Sequence, residues 1–133
     1  MLHTTEDIHI QWTKVVLPPV FLEEEFPVSE AASETIFTTR NEINEILGGR
    51  DSRLLVLVGP CSIHDTAAAR EYGWLLNNAI AEFSADLRIV MRVYFEKPRT
   101  TIGWKGLIND PYLDQSYKIN DGLRRQTCGN CLQ

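Results

Sequence analysis

Two apolar runs separated by one segment of helical period constrain this chain more than anything else in it. The first spans residues 53–58, Leu54-Leu55-Val56-Leu57-Val58 after Arg53. It is apolar at consecutive positions, as expected of a parallel strand buried on both faces. The second spans residues 89–95, Ile89-Val90-Met91-Arg92-Val93-Tyr94-Phe95, and is rich in β-branched and aromatic types. Between them, residues 67–83 carry Tyr72, Leu75, Leu76, Ala79, Ile80 and Phe83 as one helical stripe, with Asp65 or Thr66 as the N-cap. A helix of about 17 residues between two apolar strands is a β-α-β unit, which implies parallel strands and a right-handed crossover. The fold class is α/β.

Upstream of this unit, residues 1–28 read as an irregular arm. A short strand is expected around Ile8-His9-Ile10, and Pro18-Pro19 is expected to break any helix there. Residues 21–26 suit a single turn that exposes Glu23-Glu24-Glu25. Ser29 is an N-cap candidate, and Glu30 places negative charge in the first turn. Ala32, Ile36, Ile43, Ile46 and Leu47 form the stripe of the helix that follows, and Gly48-Gly49 ends it. After the second strand a long loop is expected.

In parallel α/β folds the working loops lie at the C-terminal ends of the strands. Cys61 follows the first strand and Lys97 to Thr101 follow the second, so both clusters are expected to face one site. Arg92 shares a strand face with Val90 and Tyr94, opposite Ile89, Met91, Val93 and Phe95. A charge inside a buried strand needs a partner, and arginine does not lose its proton at ordinary pH, so Arg92 asks for an anion. Pro98 ends ladder pairing. Lys97, Arg99, Thr100 and Thr101 then offer two cations and two hydroxyls, a set that matches phosphate oxygens. A solvated basic loop is the competing reading, and the two stand about even on the residues alone. Cys61, in Gly59-Pro60-Cys61-Ser62-x-His64, is a nucleophile, a metal ligand or a small buried side chain. His64 is expected to hydrogen-bond the loop backbone in preference to joining a metal. Trp104 reads as a packing anchor, Asn109-Asp110-Pro111 as a turn, and Asp114 and Asp121 as surface or cap residues.

A chain of 133 residues with 44% hydrophobic content suits one globular domain. A net charge of −5 disfavours broad binding to nucleic acid or an anionic membrane. No apolar run approaches the roughly 20 residues that span a bilayer, and the polar start has no signal-peptide core, so a cytoplasmic protein is expected. Three cysteines, Cys61, Cys128 and Cys131, argue against a disulfide framework. Cys128-Gly-Asn-Cys131 has no second pair with which to hold zinc.

Three stretches together carry a resemblance. They are 57–65 (Leu-Val-Gly-Pro-Cys-Ser-Ile-His-Asp), 91–101 (Met-Arg-Val-Tyr-Phe-Glu-Lys-Pro-Arg-Thr-Thr) and 103–111 (Gly-Trp-Lys-Gly-Leu-Ile-Asn-Asp-Pro). They closely resemble 3-deoxy-D-arabino-heptulosonate-7-phosphate (DAHP) synthase of the feedback-regulated bacterial and yeast type. The likeness covers nearly all of residues 1–124, including the Leu17-Pro18-Pro19 arm. It implies a (β/α)₈ TIM barrel and a divalent metal of the Mn, Fe, Co or Zn class. It also implies condensation of phosphoenolpyruvate with erythrose 4-phosphate, releasing phosphate, at the entry to the shikimate pathway. Position by position, Cys61 resembles the family's cysteine metal ligand and Arg92 a phosphoenolpyruvate-binding arginine. Lys97 resembles the active-site lysine near both substrates, and Pro98, Arg99 and Thr100 the erythrose 4-phosphate loop. The family forms homo-oligomers through the arm, which also contributes to its amino-acid inhibitor site.

A barrel of this kind needs roughly 250 residues. The expectation is therefore an arm and helix over 1–50, the first two β/α units of the barrel over 51–124, and a barrel incomplete in this chain. The family's other metal ligands come from later strands, so this chain is not expected to hold the ion alone. Residues 125–133 depart from the family pattern and read as a frameshifted tail. The alternative to the enzyme is a non-catalytic fragment or pseudogene product that associates with full-length subunits or binds phosphate.

Overall fold

The structure, a computed structural model, describes residues 6, 9–10, 12–97 and 102–127. Its first helix, α1 (Pro19–Glu25), starts on the proline pair expected to break any helix. Proline is tolerated at the first helical position because the N–H it lacks has no intrahelical partner there. The strand expected around Ile8-His9-Ile10 is not formed at His9 and Ile10, and Ile8 lies outside the described residues. In α2 (Glu30–Leu47) the Ser29 hydroxyl accepts from the Ala32 N–H at 3.2 Å, so the expected cap is in place. Gly49, with φ +71°, follows its C-terminus.

Strand β1 (Leu54–Val58) leads through a loop to α3 (Thr66–Glu82). The Asp65 carboxylate accepts from the N–H groups of Ala67 and Ala68 at 2.8 and 3.4 Å. Strand β2 (Leu87–Met91) then pairs parallel with β1, in register from Leu54↔Leu87 to Val58↔Met91. The result is a mixed α/β arrangement around a two-stranded parallel sheet.

The ladder is shorter than the apolar run that follows it. It stops at Met91, not Phe95, because the chain on the β1 side turns away into Gly59-Pro60. Two backbone bonds carry the pairing on: Arg92 N–H donates to Val58 O at 2.7 Å and Ile63 N–H to Tyr94 O at 2.8 Å. The period of two survives. Val93 and Phe95 turn inward onto a core of Ile63, Ala69 and Leu107, joined by Trp104. Arg92 and Tyr94 turn outward and are exposed, which corrects the expectation of an arginine embedded in a buried strand.

A second correction concerns β1. Leu54 and Leu57 are 65% and 69% exposed, so this strand is not buried on both faces. The helical stripes are likewise only partly covered. Ala32, Ile43, Ile46, Tyr72, Leu76, Ala79 and Ile80 are half-buried, whereas Ile36, Leu47, Leu75 and Phe83 are exposed. A two-stranded sheet offers too little surface for two helices to bury whole stripes. No helix among the described residues is long and apolar enough to cross a membrane.

At the N-terminal ends of the strands, charge takes over from packing. The Glu42 carboxylate of α2 meets Arg53 at 3.0 Å and Arg88 at 2.9 Å, and Arg88 also donates to the Thr39 hydroxyl. Asp51 meets Arg53 at 2.7 Å. That hydrogen bond holds the Asp51 carboxyl below its usual range and, with Glu42 second, raises Arg53 above its own.

After β2 the described residues run as a long loop to position 118, as expected, and then form a last helix, α4 (Ile119–Thr127), which runs without a break across positions 124–125. Of the expected frameshifted tail, residues 125–127 lie within α4, and residues 128–133, with Cys128 and Cys131, lie outside the described residues. Helix α4 is held by tertiary contacts more than by an apolar stripe. Arg124 meets Glu25 of α1 at 3.1 Å, and Gly122 is packed against the backbone of Leu107 and Ile108. Asn120 clamps the arm, accepting from Leu17 N–H and donating to Val15 O, both at 3.0 Å. Asn120→Ala removes both bonds at once. We expect residues 12–17 to exchange amide hydrogens about tenfold faster in that variant, with β1 and β2 unchanged, since one or two lost hydrogen bonds contribute about 1–2 kcal/mol. Equal exchange in both proteins counts against the clamp.

Candidate anion site at the strand ends

The parallel pair sends both of its C-terminal ends the same way, and the sequence places chemistry just beyond each. Past β1, Gly59 lies against the Arg92 backbone so closely that a β-carbon would collide with the Arg92 carbonyl. The loop therefore turns tightly and presents Cys61 as an exposed free thiol. Past β2, Glu96 makes an antiparallel bridge with Gly106, and Lys97 N–H donates to Lys105 O at 3.0 Å. This return fixes the backbone of Lys97. Its ammonium reaches across to Cys61 and donates to Sγ at 3.5 Å. Two residues 36 positions apart in the sequence are thus brought side by side, as the β-α-β reading required.

Arg92 is placed at the same end by its bond to Val58 O, and its guanidinium lies over the Tyr94 ring, 4.8 Å from the centroid. Among the described residues no carboxylate pairs with it. The contrast with the other end of the sheet is electrostatic. There Arg53 and Arg88 are neutralised by Glu42 and Asp51. At the C-terminal end Arg92 and Lys97 have no carboxylate partner among the described residues, so this end is the one suited to an external anion. Pro98, Arg99, Thr100 and Thr101 lie outside the described residues.

The surrounding loop differs from the expectation in two places. His64 is exposed and meets Trp104 edge-on, with ring centroids 6.4 Å apart; among the described residues it makes no hydrogen bond to the loop backbone. Asp110, expected in an ordinary turn, is 4% exposed and organises the loop from inside. Its carboxylate accepts from Gln115 N–H at 3.1 Å, and its carbonyl accepts from the Trp104 indole at 2.8 Å. Trp104 is accordingly a packing anchor, as expected. Asp114 and Asp121 also behave as expected, the first accepting from Ser116 N–H and the second from the Tyr112 hydroxyl.

Sequence reasoning missed Gly106 and Tyr94. Gly106 is buried at φ +109°, where an L side chain is strained. The only signal for it was a glycine inside an otherwise bulky stretch, Trp104-Lys105-Gly106-Leu107. Tyr94 carried a plainer signal, an aromatic two positions after an arginine on one strand face.

Among the described residues the site does not make a complete metal centre. Cys61 is one sulfur donor, and no group of three or more His, Cys, Asp or Glu lies together among the described residues. A single thiolate does not make the four-to-six-fold shell that a divalent ion takes.

The family described as DAHP synthetase I matches residues 25–133. The Phe-sensitive phospho-2-dehydro-3-deoxyheptonate aldolase of Escherichia coli K12 is 56% identical over 124 residues, covering 93% of this chain and 35% of that protein. The phenylalanine-inhibited enzyme of Saccharomyces cerevisiae is 48% identical over 119 residues, covering 90% of this chain and 32% of its own length. The solved structure of the Francisella tularensis aldolase superposes with a TM-score of 0.86 at 50% identity, over 92% of this chain and 37% of that one. This chain therefore spans about a third of the length of these relatives. The matched residues include the strand pair, the Cys61 loop and the return at Gly106, and the chain belongs to the DAHP synthetase I family.

Proposed function

We propose that this chain serves a DAHP synthase, condensing phosphoenolpyruvate with erythrose 4-phosphate and releasing phosphate. The observation that carries the reading is the approach of Lys97 Nζ to Cys61 Sγ, at 3.5 Å, beside an Arg92 with no carboxylate partner among the described residues. Two anionic substrates repel each other in one cleft, so holding them side by side takes several cations. Arg92 would bind phosphoenolpyruvate through its planar fork. Lys97 would sit between the substrates as a compact donor. Pro98, Arg99 and Thr100 would form the erythrose 4-phosphate loop. As the new carbon–carbon bond forms, the aldehyde oxygen gains negative charge, and the Lys97 ammonium is suited to stabilise charge developing close by.

A divalent ion of the Mn, Fe, Co or Zn class, when bound, would polarise that oxygen as a Lewis acid. Cys61 would be one of its ligands. The described residues do not complete the shell. In this reading β1–α3–β2 begins a (β/α)₈ barrel over residues 51–124, residues 1–50 form the contact region of a cytoplasmic homo-oligomer, and Leu54 and Leu57 are covered by the rest of the fold. Those same exposed leucines favour a second reading, a non-catalytic chain that associates with larger subunits.

The deciding measurement is phosphoenolpyruvate consumption by the purified 133-residue chain with erythrose 4-phosphate and manganese. Turnover abolished by a chelator, and reduced on the order of 100-fold in Lys97→Ala, would support the enzyme reading and would require ligands beyond the described residues to complete the metal shell. A folded sample with no turnover overturns the enzyme reading in favour of the second.

A further inference from the structure

We infer that Tyr94 is a positioning residue for Arg92, holding the guanidinium plane by its ring face while leaving the charge free for the incoming anion. The inference rests on the anion-site reading above and deepens it.

Both residues lie on the outward face of the same extended segment, two positions apart, so their side chains project in parallel. The guanidinium carbon is 4.8 Å from the ring centroid, within the range of a cation–π contact. Neither backbone is loose. Arg92 N–H is bonded to Val58 O and Tyr94 O to Ile63 N–H, so the platform is tied at one end to the last residue of β1 and at the other to the loop that carries Cys61. Tyr94 is 49% exposed and stays outside the core formed by Ile63, Ala69 and Leu107.

The choice of partner matters. Arg53, Arg88 and Arg124 are each oriented by carboxylates, which occupy the N–H fork and cancel the charge. A carboxylate at position 94 would do the same to Arg92 and compete with any phosphate. An aromatic face orients the plane without using its N–H groups, which stay free at the edge of the guanidinium. Orientation is thus provided before the ligand arrives, and less rotamer freedom is lost on binding.

The test is calorimetric titration of phosphoenolpyruvate into the full chain and into Tyr94→Phe, Tyr94→Leu, Tyr94→Glu and Arg92→Ala. Arginine side-chain NMR and thermal midpoints are recorded on the same samples. Phenylalanine keeps the ring and should bind within about twofold of the parent; leucine keeps apolar bulk only and should bind about three- to fivefold more weakly. Glutamate at position 94 should weaken binding at least about tenfold by pairing with Arg92 and repelling the ligand. The Arg92 Nε–H signal should be shifted upfield by the ring in the parent and in Tyr94→Phe, and not in Tyr94→Leu. Thermal midpoints of the Phe and Leu variants should agree, since a merely structural role would move them apart. Leucine binding as tightly as tyrosine, or phenylalanine as weakly as leucine, overturns the inference alone. If the parent shows no Arg92-dependent binding, the anion-site reading falls and the inference falls with it.

Discussion

Replacing Gly106 with alanine is expected to lower stability by about 3 kcal/mol or more and to separate Lys97 from Cys61. Two costs combine at this position. Its φ of +109° is a conformation that side-chain-bearing residues avoid. An added β-carbon would also lie 2.5 Å from both Glu96 Cα and Phe95 O. Both are backbone atoms, so relief requires the Glu96–Gly106 bridge to open and not a side chain to swing aside. That bridge sits beside the Lys97 N–H to Lys105 O bond, and through it the lysine is aimed at the thiol. Gly49 supplies an internal control. It also has a positive φ, +71°, but a β-carbon there would meet nothing within 4 Å. Gly49→Ala should therefore show the backbone penalty alone, about 1 kcal/mol. Urea unfolding of the two variants separates strain from collision. Equal midpoints would mean that the return of the loop onto Glu96 is not formed in solution.

The second large effect is expected at Leu107. It is fully buried, at 0% exposure, and shares a cluster with Ile63 and Ala69 against which Val93, Phe95 and Trp104 pack. Leu107→Ala should cost about 2–5 kcal/mol, the sum of lost transfer energy and the cavity left behind. The upper part of that range is the expectation here, because Asp110 and Trp104 are cross-bonded and hinder collapse into the void. Leu57→Ala is the matched comparison. Leu57 belongs to a strand and is equally apolar, but at 69% exposure its truncation should change stability by no more than about 0.5 kcal/mol. A cost at Leu57 rivalling that at Leu107 would show that the outer face of β1 is covered in solution, by a second copy or by a partner.

Together these two positions show why the site sits where it does. The buried cluster lies beyond the C-terminal ends of the strands, where Ile63 and Leu107 of the loops meet Ala69 of α3. Packing energy is concentrated where Cys61 and Lys97 must be held. The opposite end is fastened by Glu42 and its two arginines, a partly buried network in which each charge has a partner.

Local chemistry was legible in the chain because it acts over a few residues. Ser29 and Asp65 cap the helices they were expected to cap, since a cap needs only a short polar side chain and the next two or three N–H groups. The two strands and the helix between them follow from the period of their apolar residues. From that order alone, parallel pairing was implied, and with it a shared end for Cys61 and Lys97. The likeness to a known family named the roles; the β-α-β unit put thiol and ammonium at one end of the sheet, and the return at Gly106 brought them together.

What the residues alone left open depended on contacts distant in sequence. Whether an apolar strand is buried on both faces is decided by what covers it, and nothing among the described residues covers Leu54 and Leu57. The end of β2 was decided by its partner, which turns away at Gly59, so Arg92 emerges exposed and stacks on Tyr94 instead of asking for a buried counter-ion. Helix α4 has little apolar stripe to announce it and exists through Asn120, Gly122 and Arg124, each in contact with a distant part of the chain. Periodicity and capping are written in consecutive residues. Burial, strand ends and charge pairing are properties of two surfaces at once, and only the tertiary structure brings those surfaces together.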